Sequence, residues 1–297
     1  MPPEYIRHVR VSQDLVTSLE ATREGFIKQA KAKIAKARPY VDEALEFERA
    51  LNDARHLTEV LAMEPHREHL SAAAGFSEKA LNNVPPHIAL GVLRAALDEI
   101  FNESGDQWRH AILSRYLLTK GDSLGGTMRN VIGALAQTRF ATAVVRALGS
   151  RRDLCVRRSD QSDKIQEIEW RGRILLFDKK SPLVQKNLDV SLLNRPNQER
   201  WQTLITNPES YVACGELKGG IDPAGADEHW KTARTSLQRI RDRFPTQKPA
   251  LFFVGAAIEC NMANEIFNDL EEGRLQHAAN LNYDNEVDDL ADWLVSL

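Results

Sequence analysis

From Ser12 to about Arg146, apolar residues recur three and four positions apart in a background of Ala, Leu, Glu, Lys and Arg. This is the period of helices with one buried face. Leu15, Leu19, Phe26 and Ile27 form one such stripe. Punctuation at Arg38-Pro39, Glu64-Pro65, Gly75, Pro85-Pro86 and Gly105 predicts several short helices. A longer helix is expected after Gly125-Gly126, running from Thr127 to Leu148 and closed by Gly149. No strand pattern interrupts this part of the chain.

After Gly149 the pattern changes. Ile168 to Trp170 and Arg173 to Phe177, separated by Gly172, predict a hairpin, and Leu188 to Leu192 and Tyr211 to Leu217 predict further strands. Asp227 to Phe244 reads as a helix, Ala250 to Ile258 as a buried strand, and Asn261 to Leu275 as another helix. Strands alternating with helices after an all-helical stretch predict an α+β chain with a mixed sheet flanked by helices. The division is placed at 1–120, mainly helical, and 121–297, containing the sheet.

Composition narrows the picture modestly. A chain of 297 residues with 42% hydrophobic content supplies an ordinary core for one large or two modest domains. The longest uninterrupted apolar run, Leu251 to Ile258, is too short to span a bilayer, and the N-terminus lacks the apolar core of a secretory signal. A soluble, cytoplasmic protein is expected. Cys155, Cys214 and Cys260 lack the paired spacing of zinc sites or disulfide frameworks, and are expected to be small buried hydrophobes. A net charge of -3 argues against a nucleic-acid binder, although local basic stretches such as Arg146 to Arg158 remain.

The chemistry concentrates on two of the expected strands. Hydrolysis of a phosphodiester with a divalent ion needs hard oxygen ligands converging on the ion and a group that positions the attacking water. Asp189 lies in Asn187-Leu-Asp-Val-Ser-Leu192, and Glu216 and Lys218 lie in Tyr211-Val-Ala-Cys-Gly-Glu-Leu-Lys218, where strand alternation puts them on one face. In this geometry Asp189 and Glu216 would bind Mg²⁺, with the Leu217 carbonyl as a third oxygen, and Lys218 would orient water and offset charge on the phosphate. Asp178-Lys-Lys180 is a competing Asp-x-Lys, set aside as a charged turn before Pro182. Spacing alone leaves an ordinary exposed strand pair equally open.

The loop Gly219-Gly-Ile-Asp-Pro-Ala-Gly225 offers backbone that a ligand can approach closely. His229 follows in the first turn of a helix, whose dipole favours a neutral imidazole suited to a general base. The plainer readings are that Asp222 shapes the turn before Pro223, that His229 is a polar residue at a helix start, and that Trp230 is core.

The run from Gly215 to Ala233 resembles the AvaI/BsoBI family of type II restriction endonucleases, as does Lys120-Gly-Asp-Ser-Leu-Gly-Gly-Thr-Met-Arg-Asn130. The similarity extends from Val11-Ser-Gln-Asp-Leu15 to Asp292-Trp-Leu294. It implies a homodimer that encloses double-stranded DNA, each subunit pairing a helical, DNA-clamping domain with a catalytic domain of the PD-(D/E)xK nuclease type. It further implies Asp189, Glu216 and Lys218 as the catalytic triplet, His229 as a residue acting on the attacking water, and Asp222 as a base contact. A carboxylate there suits the cytosine N4 amino group. Lys79, in Gly75-Phe-Ser-Glu-Lys-Ala-Leu81, is aligned with a base-contacting lysine. The family's substrate is the palindrome CYCGRG, cut after the first C to leave 5′ overhangs, and a cognate methyltransferase would accompany the enzyme. The proline expected before the first Asp is replaced by Leu188, a departure this superfamily tolerates.

Two rival readings stand beside this one. Gly121-Asp-Ser-Leu124 is the signature of GDSL esterases, with Ser123 as nucleophile, but it follows a helical run rather than a buried strand, and Ala226 stands where an Asp-x-x-His pair would need aspartate. Helix capping by Asp122 or Ser123 is the expected alternative. A non-catalytic DNA-binding module is the second rival, opposed by the complete set of Asp189, Glu216 and Lys218. His66-Arg-Glu-His69 lacks the spacing of zinc proteases and is expected on a solvated helix face.

Overall fold

A computed structural model describes residues 3–62, 66–151, 153–159, 162–196, 199–244 and 248–297. The chain clusters into two compact units, one formed by 1–27 with 131–297 and the other by 28–130. The sequence pattern predicts a single boundary at 120/121. The first 27 residues join the sheet unit because their turns are tied to it: Asn280 Nδ2 donates to the Leu15 carbonyl at 2.9 Å, and Thr17 Oγ1 donates to the Ala256 carbonyl at 3.0 Å. Leu15 is buried there, whereas Leu19, Phe26 and Ile27 are exposed, so the expected four-residue stripe is not one buried face.

The helical stretch contains α1 (Leu19–Asp53), α2 (Leu57–Ala62), α3 (Arg67–Ala73), α4 (Glu78–Leu81), α5 (Pro86–Ser104) and α6 (Trp108–Leu148). The breaks at Gly75, Pro85-Pro86 and Gly105 fall between helices as expected, with Gly105 taking a positive φ of 51° at the end of α5. The break at Glu64-Pro65 lies outside the described residues. Two expected breaks are absent. α1 runs through Pro39, and α6 runs through Gly121, Gly125 and Gly126. Around Pro39 the turns of α1 are largely exposed and the helix forgoes one N–H bond, whereas the glycines of α6 are carried by neighbouring turns that bury Leu124 and Met128. Within 28–130 the core is formed by Phe47, Leu51, Leu70, Leu97, Ile112 and Tyr116 among others.

Among the described residues the sheet has seven strands in chain order: β1 (Cys155–Ser159), β2 (Ser162–Trp170), β3 (Arg173–Ser181), β4 (Lys186–Asn194), β5 (Tyr211–Lys218), β6 (Ala250–Gly255) and β7 (His277–Asn280). β1 to β5 are antiparallel neighbours, and β5, β6 and β7 are parallel. β2 and β3 form the expected hairpin: Trp170 pairs with Arg173 across Arg171 (φ 40°) and Gly172 (φ 71°), the two positive values of a tight primed turn. The parallel strands are joined by α8 (Ala226–Arg243) and α9 (Cys260–Glu271), following the short α7 (Trp201–Leu204), and the chain ends in α10 (Asp284–Ser296). Crossover helices are what parallel neighbours require.

Two cores result. Trp230, Ala233, Leu237 and Ile240 of α8 and Met262, Ala263 and Ile266 of α9 cover one face of the sheet, together with Cys214. Phe140 and Val144 of α6 and Leu290 and Leu294 of α10 cover the other, together with Phe252 and Val254. The buried run in β6 is therefore apolar on both sides, as a central parallel strand must be.

Candidate active site

The three charged residues singled out on β4 and β5 meet where those strands part. Val190 opposite Gly215 is the last ladder pair at that end. Beyond it the Leu217 N–H donates to Asp189 Oδ2 at 2.9 Å, a side chain replacing the missing strand partner. The N–H and C=O of one strand residue project toward the same neighbour, so the Leu217 carbonyl opens toward Asp189 as well.

Glu216 and Lys218 share the face of β5 that carries Cys214, the face covered by α8. Lys218 Nζ donates to Asp189 Oδ2 at 3.0 Å and to Glu216 Oε2 at 2.7 Å. One cation thus bridges two carboxylates from different strands. Glu216 is only 2% exposed. Burial raises its pKa above the usual carboxylate value, and the Asp189 charge pushes the same way, while Lys218 opposes both. Burial alone would lower the Lys218 pKa, but the two carboxylates outweigh it and hold the ammonium above its ordinary value.

This donor set suits a hard divalent ion. Two carboxylates against one ammonium leave a net negative charge in a partly closed site, and both present hard oxygen to a common point. Among the described residues no group of three or more His, Cys, Asp or Glu side chains is placed to hold a metal. The protein would therefore supply two carboxylates and a carbonyl, an incomplete shell of the kind Mg²⁺ fills with water and phosphate oxygens.

The loop after Lys218 is shaped by packing. A Cβ on Gly219 would lie 2.5 Å from Ala136 Cβ and 2.9 Å from the Ile132 carbonyl oxygen, so only glycine passes α6 here. A Cβ on Gly220 would lie 3.3 Å from His229 Nε2, and one on Gly225 would lie 3.5 Å from it. The imidazole, at an exposed position in the first turn of α8, rests against this loop. Asp222 is exposed and its Oδ1 accepts from Ala224 N at 3.0 Å, so the turn-shaping role is present. Its carboxylate remains on the surface.

Other singled-out residues fall elsewhere. The side chain of Lys79, in α4, lies outside the described residues. Ser123 is in the middle of α6, bonding back to the Thr119 carbonyl, with no preceding strand; it is neither a presented nucleophile nor a helix cap. His66 and His69 do not form a solvated face: they pack on Phe47, and their Nδ1 atoms are 3.4 Å apart. Asp178 lies within β3, not a turn, and accepts from Asn187 Nδ2 at 3.2 Å. Cys214 is buried as expected, and burial pushes its thiol up to about 12. Cys155 and Cys260 are exposed, contrary to expectation. Trp230 is core, its indole N–H donating to Glu265 Oε2 at 2.9 Å. Ser236 of α8, fully buried in the helix seam on the Glu216 side, is a neighbour that the sequence pattern does not single out. Its only signal is a place seven residues after His229, on the same helix stripe.

A mixed sheet flanked by helices, with an acid on one strand and Glu-x-Lys on the next, in a chain that also carries an all-helical unit, defines the restriction-endonuclease-like class of PD-(D/E)xK folds. The family described as "Restriction endonuclease BsobI" matches residues 5–297, and the chain belongs to it. It is 36% identical over 317 aligned positions to the type II restriction enzyme AvaI of Nostoc sp. (strain PCC 7120 / SAG 25.82 / UTEX 2576), covering 100% of both chains. It is also 36% identical over 314 positions to the type II restriction enzyme BsoBI of Geobacillus stearothermophilus, covering 98% of this chain and 97% of that one.

Proposed function

We propose that this protein is a type II restriction endonuclease, a site-specific deoxyribonuclease that hydrolyses double-stranded DNA in a Mg²⁺-dependent reaction. The observation that carries the reading is the convergence of Asp189 and Glu216 on one cation, Lys218 Nζ. Asp189, Glu216 and the Leu217 carbonyl would hold the ion, which would supply Lewis-acid stabilisation of the phosphate and a more acidic water. Lys218 orients the attacking water and offsets charge gathering on the phosphate oxygens. His229 takes the water's proton as the new P–O bond forms. The bond to the 3′ oxygen breaks, that oxygen is protonated from solvent, and a 5′-phosphate end remains.

The recognition site is CYCGRG, cut after its first C, or a related palindrome. Asp222, exposed on the loop that follows the Glu-x-Lys strand, is read as an acceptor for a base amino group, and Lys79 as a second base contact. A palindrome calls for a two-fold symmetric reader, and we read the protein as a homodimer. Ile34, Val41 and Leu45 of α1 support this: they are 75%, 50% and 47% exposed and lie on one face of the helix, the spacing of an apolar seam for a second copy. A methyltransferase of matching specificity is the functional partner, and the cytoplasm is the compartment. The long apolar helical span Pro86–Leu148 buries Phe140 and Val144 against the sheet and carries Arg139 and Arg146, which pair with Asp284 and Asp288, features of a helix in water.

Digestion of a plasmid of known sequence with Mg²⁺, followed by mapping of the ends, tests the assignment. Cuts at CYCGRG are expected. Cuts confined to an unrelated sequence would overturn the specificity, and an uncut plasmid carrying unmethylated sites would overturn the activity.

A further inference from the structure

We propose that Ser236 is a positioning residue, holding the Glu216 carboxylate in the orientation that binds a divalent cation. The proposal rests on the reading of Glu216 as an ion ligand. Its geometry comes from two packed faces. Cys214, and with it Glu216 two residues on, projects from β5 into the core covered by α8. The buried seam of α8 consists of Ala226, Trp230, Ala233, Ser236, Leu237 and Ile240, and Ser236 is its one polar member, with 0% exposure.

The Ser236 hydroxyl lies on the Glu216 side of the seam, yet its buried Oγ makes no well-formed hydrogen bond among the described residues. An unmet buried hydroxyl destabilises a fold, and alanine would fill the same seam without that penalty. The hydroxyl becomes useful when the carboxylate is drawn away from Lys218, which now holds Glu216 Oε2. A divalent cation competes with the ammonium for the carboxylate, and Ser236 is then the neutral donor that fixes it from the helix side. Outer-shell partners of this kind orient ligating carboxylates. His229 lies seven residues earlier on the same stripe of α8, about 20° away around the helix. One helix face would thus carry both the donor that steadies the ligand and the imidazole beside the loop.

The test is Mn²⁺ binding to the full-length protein by titration calorimetry, with melting temperatures measured without metal. Ser236→Ala is expected to bind Mn²⁺ roughly tenfold more weakly, to melt at the same or a higher temperature without metal, and to need a correspondingly higher Mn²⁺ concentration for half-maximal cleavage. Ser236→Cys, a weaker donor of similar size, should show the same loss and serves if the alanine variant does not fold. Wild-type Mn²⁺ affinity in Ser236→Ala, where Glu216→Gln abolishes binding, would overturn the proposal and leave the Glu216 reading standing. Wild-type affinity in Glu216→Gln would overturn both. Weaker binding accompanied by a lower metal-free melting temperature in both serine variants would mark a packing role and also overturn it.

Discussion

The Leu217 N–H donates to Asp189 Oδ2 at 2.9 Å, a backbone-to-side-chain bond standing where the next rung of the β4–β5 ladder would be. The same carboxylate oxygen accepts from Lys218 Nζ at 3.0 Å. Asp189 therefore does two things. It ends the strand pairing without leaving a backbone donor unmet, and it turns that end into a charged notch.

Glu216→Gln and Lys218→Ala should each slow single-turnover cleavage of a duplex by roughly a hundredfold or more, the scale set by losing one preorganised charge at a reacting phosphate. Gel shifts in Ca²⁺ should show DNA binding retained. Cleavage within a few-fold of wild type in either variant would remove that residue from the mechanism.

Gly219→Ala places a Cβ against Ala136 and the Ile132 carbonyl, where no space exists. Overpacking of this kind is destabilising by about 1–3 kcal/mol, which urea denaturation reads directly. Cleavage should fall as well, because the displaced loop joins Lys218 to Asp222 and His229. An unchanged denaturation midpoint would contradict the close approach.

Glu286, at the start of α10, accepts from Asn280 N at 2.7 Å and is pushed by burial up to about 8. The folded protein therefore holds this proton across a pH range in which the unfolded chain, near the ordinary glutamate value of 4.5, has released it. Its contribution to stability is full below that lower value and is lost as pH rises through the folded pKa. Glu286→Gln keeps an acceptor for Asn280 and removes the titration. It should raise the melting temperature relative to wild type at pH 9 and leave it nearly unchanged at pH 4. The same increment at both pH values would refute the linkage.

Ile34→Asp combined with Val41→Asp introduces charge at two half- to three-quarters-exposed positions of α1 and should leave the fold of the chain intact. If this face joins two copies, sedimentation should show a shift from dimer to monomer at micromolar concentration, with loss of cooperative double-strand cutting. A variant that stays dimeric would place the seam elsewhere.

Much of the site-bearing half was legible because its elements are local. The expected strand Leu188–Leu192 lies inside β4, Tyr211–Leu217 is one residue short of β5, and Asp227–Phe244 is α8 displaced by one. β7, with only His277-Ala-Ala-Asn280, is too short to alternate visibly, and it is a strand because β6 pairs with it. The glycines of α6 signal breaks that burial of Leu124 and Met128 on the same turns overrides, whereas α1 runs through Pro39 with its flanking turns largely exposed. The N-terminal turns reach the sheet through Leu15 and Thr17, contacts at a sequence separation no local pattern encodes.

By itself the sequence determined which residues carry charge, and that Glu216 and Lys218 share a face, because the period of a strand is fixed by backbone geometry. It also determined the family, through long runs that spacing alone would not have made specific. Only the tertiary structure decided that β4 and β5 separate just past Val190 and Gly215, bringing Asp189 to Lys218, and that α8 lays Ser236 beside Glu216. Register and helix placement are set by burying both faces of the sheet at once, a condition that couples residues far apart in the chain.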